Sequence, residues 1–118
     1  MTRGATARLE DIQEAVRAIR SHMARGDLDD GLIFDAVRVR VIEIGEAVKH
    51  LDKNLLVLEP AVPWSEIARI RDRLAHRYFD TTHAIIRHVI ESELHPLEQA
   101  VARIAIIAER LESGAING

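Results

Sequence analysis

The sequence contains no cysteine and few aromatic residues. Among its 118 residues there are one tryptophan, one tyrosine and two phenylalanines. Without cysteine the chain can form no disulfide, no thiolate nucleophile and no cysteine-ligated zinc site. The side chains left for proton transfer or phosphate binding are those of histidine, aspartate, glutamate, arginine and tyrosine.

Long apolar runs are also missing. No stretch of about 18 uncharged apolar residues occurs, and the first residues lack the apolar segment of a signal peptide. We therefore expect a cytoplasmic protein with no membrane association. The length predicts a single domain over residues 1–118, with flexible ends at about 1–4 and 114–118.

The overall charge is slightly acidic. Sixteen basic and 19 acidic residues give a net charge of −3, which is not typical of a general nucleic-acid coat. Residues 69–78 differ, because four arginines and one aspartate give this segment a net charge of +3. The segment is either a local RNA-binding patch, formed by Arg69, Arg73 and Arg77, or a solvated helix face.

Apolar residues recur every three or four positions along most of the chain, the period of an amphipathic helix. The first predicted helix ends near Gly26, and the second is capped by Asp29 or Asp30 and ends near Leu51. The third runs from Pro63 through Tyr78. The fourth is capped within residues 80–82, and the last starts or kinks at Pro96 and stops at Gly114. Residues 52–63 are predicted to form a loop. We therefore predict an all-α fold, an antiparallel bundle of four to five helices.

The second predicted helix is apolar on nearly all sides. This pattern indicates either a central position in the bundle or a surface shared with a partner. The alternation of Val37, Val39 and Val41 would also suit a strand, but Glu43 and Glu46 continue a helical pattern and no partner strand is visible.

Residues 71–78, with the sequence RDRLAHRY, concentrate the reactive side chains. On one continuous helix Arg71 shares a face with Leu74 and Tyr78, which places a guanidinium on the apolar stripe. His76 lies one turn after Asp72, whose carboxylate can accept a ring N–H and raise the basicity of the other nitrogen. The arrangement suits proton transfer beside a bound anion.

Simpler interpretations of the same residues stay open. Arg71 can be a structural arginine that pairs with Glu43 or Glu46 of a neighbouring helix. The pair of Asp72 and His76 can be a surface hydrogen bond.

Two features outside this segment are also candidates. Trp64 either fills the core or offers a ring for base stacking. His88, Glu91 and His95 have helical spacings, but Pro96 disturbs the last of them, and the facing Glu-x-x-His pairs of a di-iron bundle are missing. We predict no metal site and no cofactor.

The spacing of Arg71, His76 and Tyr78 resembles the R-x-x-x-x-H-x-Y motif of the HepT toxins, a branch of the HEPN superfamily of small all-helical proteins. Asp72 directly after the arginine is similar to HEPN usage. Pro63-Trp64 upstream and Asp80 downstream resemble the HepT surroundings of the motif.

The resemblance implies a HEPN-type bundle and a metal-independent endoribonuclease that acts as the toxin of a toxin–antitoxin pair. It also implies a homodimer whose two motifs face one cleft. The antitoxin would be a minimal nucleotidyltransferase that silences the toxin by transferring AMP to the motif tyrosine, which is Tyr78 here.

Metal-free RNA cleavage requires a base for the 2′-hydroxyl proton, an acid for the leaving 5′-oxygen and a cation for the phosphorane-like transition state. His76 can serve as base or acid, and Arg71 can bind the phosphate through two hydrogen bonds. Because one chain offers one such histidine, a two-fold dimer would supply the second. We predict Arg71 and His76 as catalytic residues, Asp72 in a supporting role, and a 2′,3′-cyclic phosphate product.

Two other functions stay open. The chain can be a non-catalytic module that binds a nucleotide or a nucleotidyltransferase, with Arg71 as a phosphate anchor only. It can also be a scaffold without a site, in which case Arg71 would be buried against a carboxylate.

Overall fold

A computed structural model describes residues 4–75 and 78–114, and these residues form helices and short connections without a β-strand. The helices are α1 (Ala5–Met23), α2 (Gly31–Lys49), α3 (Lys53–Leu56), α4 (Trp64–Ala68), α5 (Ile70–Leu74), α6 (Phe79–His88) and α7 (Leu94–Glu112), and a π-helical segment, Val89–Glu93, joins the last two. The predicted all-α fold of HEPN type is confirmed. Within the described ranges, every helix is too short or too polar to span a bilayer.

The core lies where α1 packs against both α2 and α7. The apolar stripe of α1 is buried as its period predicts, and the core extends through the inner faces of the other long helices. Fully buried side chains include Leu9, Ile12, Ile19, Val37, Ile86, Leu97 and Ile104. Residues 37–41 are helical, so the alternative of a strand there is wrong.

Two predicted helix ends are confirmed by their caps. The Asp30 side chain accepts a hydrogen bond of 2.9 Å from the Leu32 amide and so caps α2. Gly114, with φ of 76°, follows the end of α7 in the left-handed conformation that terminates helices. The predicted cap within residues 80–82 is wrong, because α6 already begins at Phe79 with Tyr78 as its N-cap.

The predicted loop over residues 52–63 contains the short helix α3. The Asp52 side chain accepts a hydrogen bond of 2.9 Å from the Asn54 amide and caps this helix. Leu55 is buried, whereas Val57 and Leu58 remain exposed. Val62, near the end of the connection, is also buried. The connection is therefore ordered in part by the Asp52 cap and by two core side chains.

The predicted third helix, from Pro63 through Tyr78, is two short helices. The backbone leaves helical geometry at Arg69, between α4 and α5, and again at Ala75, which is extended with ψ of 138°. Short helices are stabilised mainly by the apolar face that they bury, and α5 buries Ile70 and Leu74. Four residues after Leu74, Tyr78 is exposed, so its side chain does not continue this buried face.

A close approach to α2 holds α4 and α5 in place. At Gly45 of α2, a Cβ atom would lie 2.5 Å from Ile70 Cγ2 and 2.7 Å from the Ile67 carbonyl oxygen. Both distances are shorter than van der Waals contact, so only glycine allows this spacing of the helices. The contact sets the position of the helix that carries Arg71.

The π-helical segment Val89–Glu93 directly precedes α7, in which Pro96 is the third residue. Proline has no amide hydrogen to donate into the preceding turn, and a π turn is a common way to interrupt the α-helical ladder. The change predicted at Pro96 therefore occurs just before it. The Glu93 side chain is buried by this geometry, with a relative exposure of 8%.

Candidate functional site

Arg71 lies on the outer side of α5, with its side chain 65% exposed and its Nε 3.5 Å from Glu46 Oε1. The prediction that this guanidinium lies on an apolar stripe is wrong, since Ile70 and Leu74 form the buried face of the helix. The alternative pairing with Glu46 is observed. An exposed pair of this kind contributes about 0–1 kcal/mol, so Arg71 can leave it to bind a phosphate.

Tyr78 does not share a helix with Arg71. It is the N-cap residue of α6, its backbone is extended, and its side chain is 87% exposed. The expectation that both residues project from one helical face is therefore wrong. The phenol is nevertheless open to solvent, in a position that another protein can reach.

The pairing expected between Asp72 and His76 rested on a helix that continues past residue 76. The helix ends at Leu74, so the one-turn spacing no longer applies. The Asp72 side chain is exposed, and within residues 4–75 and 78–114 it has no hydrogen bond or ion pair. His76 and Arg77 lie outside the described residues.

The other predicted RNA-binding arginines border an open depression of about 440 Å³, lined by Glu66, Arg69, Asp72 and Arg73. Arg69 Nε donates to the Ser65 carbonyl at 3.3 Å. Because two carboxylates share this depression with two guanidinium groups, it is less basic than the sequence segment alone. Arg71 points elsewhere, toward Glu46 of α2.

A larger groove adjoins this depression on the other side of Arg69. It has a volume of about 540 Å³, and its wall includes Trp64 and Val57, with Lys49 and Lys53 at its border. Of these residues, Trp64 is a candidate from the sequence and neither lysine is. The sequence does contain one indication of them, since Lys49 and Lys53 are the only lysines in the chain and lie four residues apart.

An aromatic cluster that the sequence does not predict lies beside Tyr78. The Phe34 ring stacks on the His83 ring at a centroid distance of 5.3 Å, and Phe79 packs against both. His83 Nε2 lies 2.9 Å from the carbonyl oxygen of Leu28. Phe34 lies on α2, whereas Phe79 and His83 lie one turn apart on α6, so local spacing could not reveal the contact between the two helices.

The histidines weighed as metal ligands contact carboxylates singly. His88 Nε2 lies 3.4 Å from Glu93 Oε1, and His95 Nδ1 lies 3.8 Å from Glu98 Oε1. In the part of the chain that the structure describes, no three histidine, aspartate or glutamate side chains come together as a metal site would require.

One ion pair anchors the segment that leads to Trp64. Arg103 of α7 donates to both oxygens of Glu59, at 2.6 and 3.1 Å. These hydrogen bonds lower the pKa of Glu59 and raise that of Arg103. The Trp64 Nε1 donates to the Glu59 carbonyl at 2.9 Å, which fixes the indole beside this pair.

Comparison with known proteins assigns the family. The family model described as "Ribonuclease HepT-like" matches residues 7–104. A Caldanaerobacter subterraneus subsp. tengcongensis protein named "Putative RNase" is 46% identical over 67 residues, which is 56% of this chain and 60% of that protein. A Thermococcus cleftensis protein named "Probable ribonuclease HepT" is 32% identical over 94 residues, which is 76% of this chain and 86% of that protein.

The comparison with solved structures gave no significant match. The family match covers most of the bundle and includes the motif of Arg71, His76 and Tyr78, and the chain therefore belongs to the HepT-like ribonuclease family.

Proposed function

We propose that this protein is a metal-independent endoribonuclease and the toxin of a toxin–antitoxin pair. Membership of the HepT-like ribonuclease family supports an RNA substrate. The observation that carries the proposal is the state of Arg71, a guanidinium that is 65% exposed and whose one ion pair within residues 4–75 and 78–114 is a 3.5 Å contact to Glu46. A phosphate can displace that contact and gain two charge-assisted hydrogen bonds.

In the proposed reaction the 2′-oxygen attacks the adjacent phosphorus atom while the bond from phosphorus to the 5′-oxygen breaks. A base takes the 2′-hydroxyl proton, and an acid protonates the departing 5′-oxygen. His76 would fill one of these roles, and Arg71 would stabilise the charge on the phosphorane-like transition state. The products are a 2′,3′-cyclic phosphate and a 5′-hydroxyl.

The cleavage assay should include EDTA throughout, and the expected result is cleavage of single-stranded RNA to a cyclic phosphate end. Arg71→Ala and His76→Ala should each reduce the rate at least 100-fold without loss of helical content, because each removes a transition-state interaction. Arg110→Ala is the matched control, since Arg110 is an exposed arginine at the far end of α7. Activity that disappears with EDTA and returns with a divalent cation would refute the metal-independent mechanism.

The surface of α2 supports a homodimer as the active species. Leu32 and Val39 are 82% and 52% exposed, and they lie seven residues apart, on one face of the helix. Seven residues further along the same face is Glu46, the partner of Arg71. A two-fold contact through this apolar face would bring the two copies of Arg71 toward one cleft.

Replacing both apolar residues, as Leu32→Glu and Val39→Glu, should convert a dimer into a monomer in sedimentation experiments and abolish cleavage. The control is Ile106→Glu, since Ile106 is a similarly exposed apolar side chain on α7, 54% exposed. A wild-type protein that sediments as a monomer at micromolar concentration would contradict the dimer.

Regulation by AMP transfer is the remaining part of the proposal. The 87% exposure of Tyr78 supports it, because a nucleotidyltransferase can reach the phenol without unfolding the bundle. The phenol oxygen would attack the α-phosphorus of ATP and lose its proton, and pyrophosphate would leave. The added phosphate brings negative charge to the surface that binds RNA and so opposes substrate binding.

The test is co-expression with a minimal nucleotidyltransferase, followed by intact-mass spectrometry. Wild type should gain mass in steps of one AMP, whereas Tyr78→Phe should gain none and should escape neutralisation while keeping ribonuclease activity. Normal neutralisation of Tyr78→Phe would refute this part alone and leave the ribonuclease proposal intact.

A further inference from the structure

The groove beside Trp64, called the Trp64 groove below, lies between the end of α2, α3 and the start of α4. Its volume of about 540 Å³ is within the range of protein ligand sites, about 300–1,000 Å³. Its wall is mainly apolar and includes Val57, Pro60 and the indole of Trp64. Val57 is 68% exposed, so an apolar surface here is uncovered.

The indole in this wall is held in one orientation. Its Nε1 donates to the Glu59 carbonyl at 2.9 Å, and the Glu59 carboxylate is in turn bound by Arg103 through hydrogen bonds of 2.6 and 3.1 Å. The polar edge of the ring is thus satisfied inside the protein. The ring therefore offers a pre-positioned aromatic surface to whatever enters the groove.

The border of the groove is cationic. Lys49, Lys53 and Arg69 line it, and the first two are the only lysines of a chain whose net charge is −3. Within residues 4–75 and 78–114, neither lysine has an ion pair, and Arg69 bonds only a backbone carbonyl, that of Ser65. Three cations are therefore available to an anionic ligand, although acidic residues outnumber basic ones in the sequence.

An aromatic surface beside unpaired cations is the pattern of single-stranded nucleic-acid binding, in which bases stack on rings and phosphates contact lysine or arginine. Arg69 connects the groove to the proposed reaction centre, because it lies two residues before Arg71. The eight residues from Trp64 to Arg71 are helical except for the turn at Arg69, which places the two ends on the order of 10 Å apart. One bound strand can reach both.

We propose that the Trp64 groove is an RNA subsite next to the cleavage site, in which a base stacks on Trp64 and the flanking phosphates contact Lys49, Lys53 and Arg69. This proposal rests on the proposed ribonuclease function. It assigns the groove to the nucleotides that lie next to the cleaved bond of the RNA. Because every base has a flat face, the subsite would favour unpaired RNA without selecting one base.

The binding experiment uses a single-stranded 2′-O-methyl oligoribonucleotide, which lacks the 2′-hydroxyl nucleophile and so stays uncleaved. Trp64 is the only tryptophan, so its fluorescence reports on the groove alone. Titration should quench the emission and yield a Kd. The double substitution Lys49→Ala/Lys53→Ala should weaken binding and reduce the slope of log Kd against log salt by about 1.4, since each phosphate contact to a single strand contributes about 0.7.

Trp64→Leu, read by fluorescence anisotropy of a labelled oligonucleotide, should raise the Kd by about 5- to 150-fold, the usual effect of losing one stacked base. The charge-matched control is Arg17→Ala/Arg110→Ala, two exposed cations on α1 and α7, which should leave the Kd nearly unchanged. If Trp64→Leu does not fold, the lysine pair still decides the question, because both lysines are exposed and border the groove.

Lysine acetylation gives an independent readout, because the reagent can modify only these two lysine side chains. Bound oligonucleotide should protect both from acetylation.

Cleavage that proceeds with no quenching and no protection would overturn the subsite while leaving the ribonuclease function in place. Quenching and protection without any cleavage would support the subsite and contradict the ribonuclease function. Protection of the lysines by a co-expressed protein but not by RNA would overturn the proposal and assign the groove to a protein partner.

Discussion

Replacing Gly45 by alanine tests the close approach that positions Arg71. The new methyl group would lie 2.5 Å from Ile70 Cγ2 and 2.7 Å from the Ile67 carbonyl oxygen. Neither atom can move by a simple rotamer change, because one belongs to a β-branched side chain and the other to the backbone. The helices α4 and α5 must therefore move away from α2.

The expected magnitude follows from two opposing terms. Alanine is more favourable than glycine inside a helix by about 1 kcal/mol, whereas overpacking costs about 1–3 kcal/mol, with the upper end expected when backbone must move. The net loss should be about 1–2 kcal/mol. The unfolding entropy is about 2.1 cal/mol/K per residue, so for 118 residues this loss lowers the Tm by about 4–8 °C.

The assay is thermal unfolding followed by circular dichroism, with Gly31→Ala as the matched control. Gly31 is the first residue of the same helix, and a Cβ atom there would meet nothing within 4 Å. The control should change the free energy of unfolding by no more than about 0.5 kcal/mol. A Tm of Gly45→Ala equal to or above that of Gly31→Ala would refute the close approach.

Three further outcomes are expected. Glu46→Gln should tighten RNA binding by up to about fivefold, because it removes the exposed carboxylate that competes with phosphate for Arg71; weaker binding would contradict this competition. The pKa of Glu59 lies below its ordinary value of 4.5 because Arg103 donates hydrogen bonds to its carboxylate. The stability that this ion pair adds is therefore present at neutral pH and is lost as the pH falls through the lowered pKa. The Tm difference between wild type and Glu59→Gln should therefore shrink on acidification below pH 4.5, and a growing difference would count against the assignment. Glu93→Leu should raise the Tm by about 4 °C or more. The reason is that Glu93 Oε2 is buried with no hydrogen-bond partner among the described residues, and burying an unpaired polar atom costs about 1–3 kcal/mol. A comparable decrease in Tm would show that the carboxylate stabilises the fold.

The long helices could be predicted because each carries its own signal. In α1 the apolar stripe repeats over five turns, and in α2 the cap at Asp30 precedes a long apolar pattern. Such patterns depend only on residues a few positions apart, so they can be recognised without knowing the fold. The family motif was recognised on the same basis, by local spacing.

The break between α5 and α6 could not be predicted in this way. Ile67, Ile70 and Leu74 have spacings that suit one continuous helix, and the end at Leu74 depends on which later side chains find a place in the core. Tyr78 does not find one, since it is 87% exposed. Only a continuous helix would place Tyr78 on the face of Arg71, so the prediction of a shared face fails where the helix ends.

The surroundings of the site also depend on residues that are distant in the sequence. The Arg71 partner Glu46 lies 25 residues earlier, and the ion pair that fixes Trp64 joins Glu59 to Arg103 of α7. Sequence spacing gives no information on such contacts. Glu46 was one of two candidates for Arg71, and the structure selects it.

The π-helical segment Val89–Glu93 has a consequence for chain length. A π turn accommodates one residue more than an α turn, so deleting a single residue within this segment would allow α6 and α7 to merge into one regular helix. The extra residue is taken up within the π turn, so the helical residues on either side would keep their faces after this deletion. The same deletion in a regular turn of α6 would instead rotate one part of the helix by about 100° relative to the other and shift it by about 1.5 Å, which would turn Thr82 or Ile86 out of the core. Related chains with and without the extra residue in the π segment should accordingly present the tyrosine on the same side of the bundle.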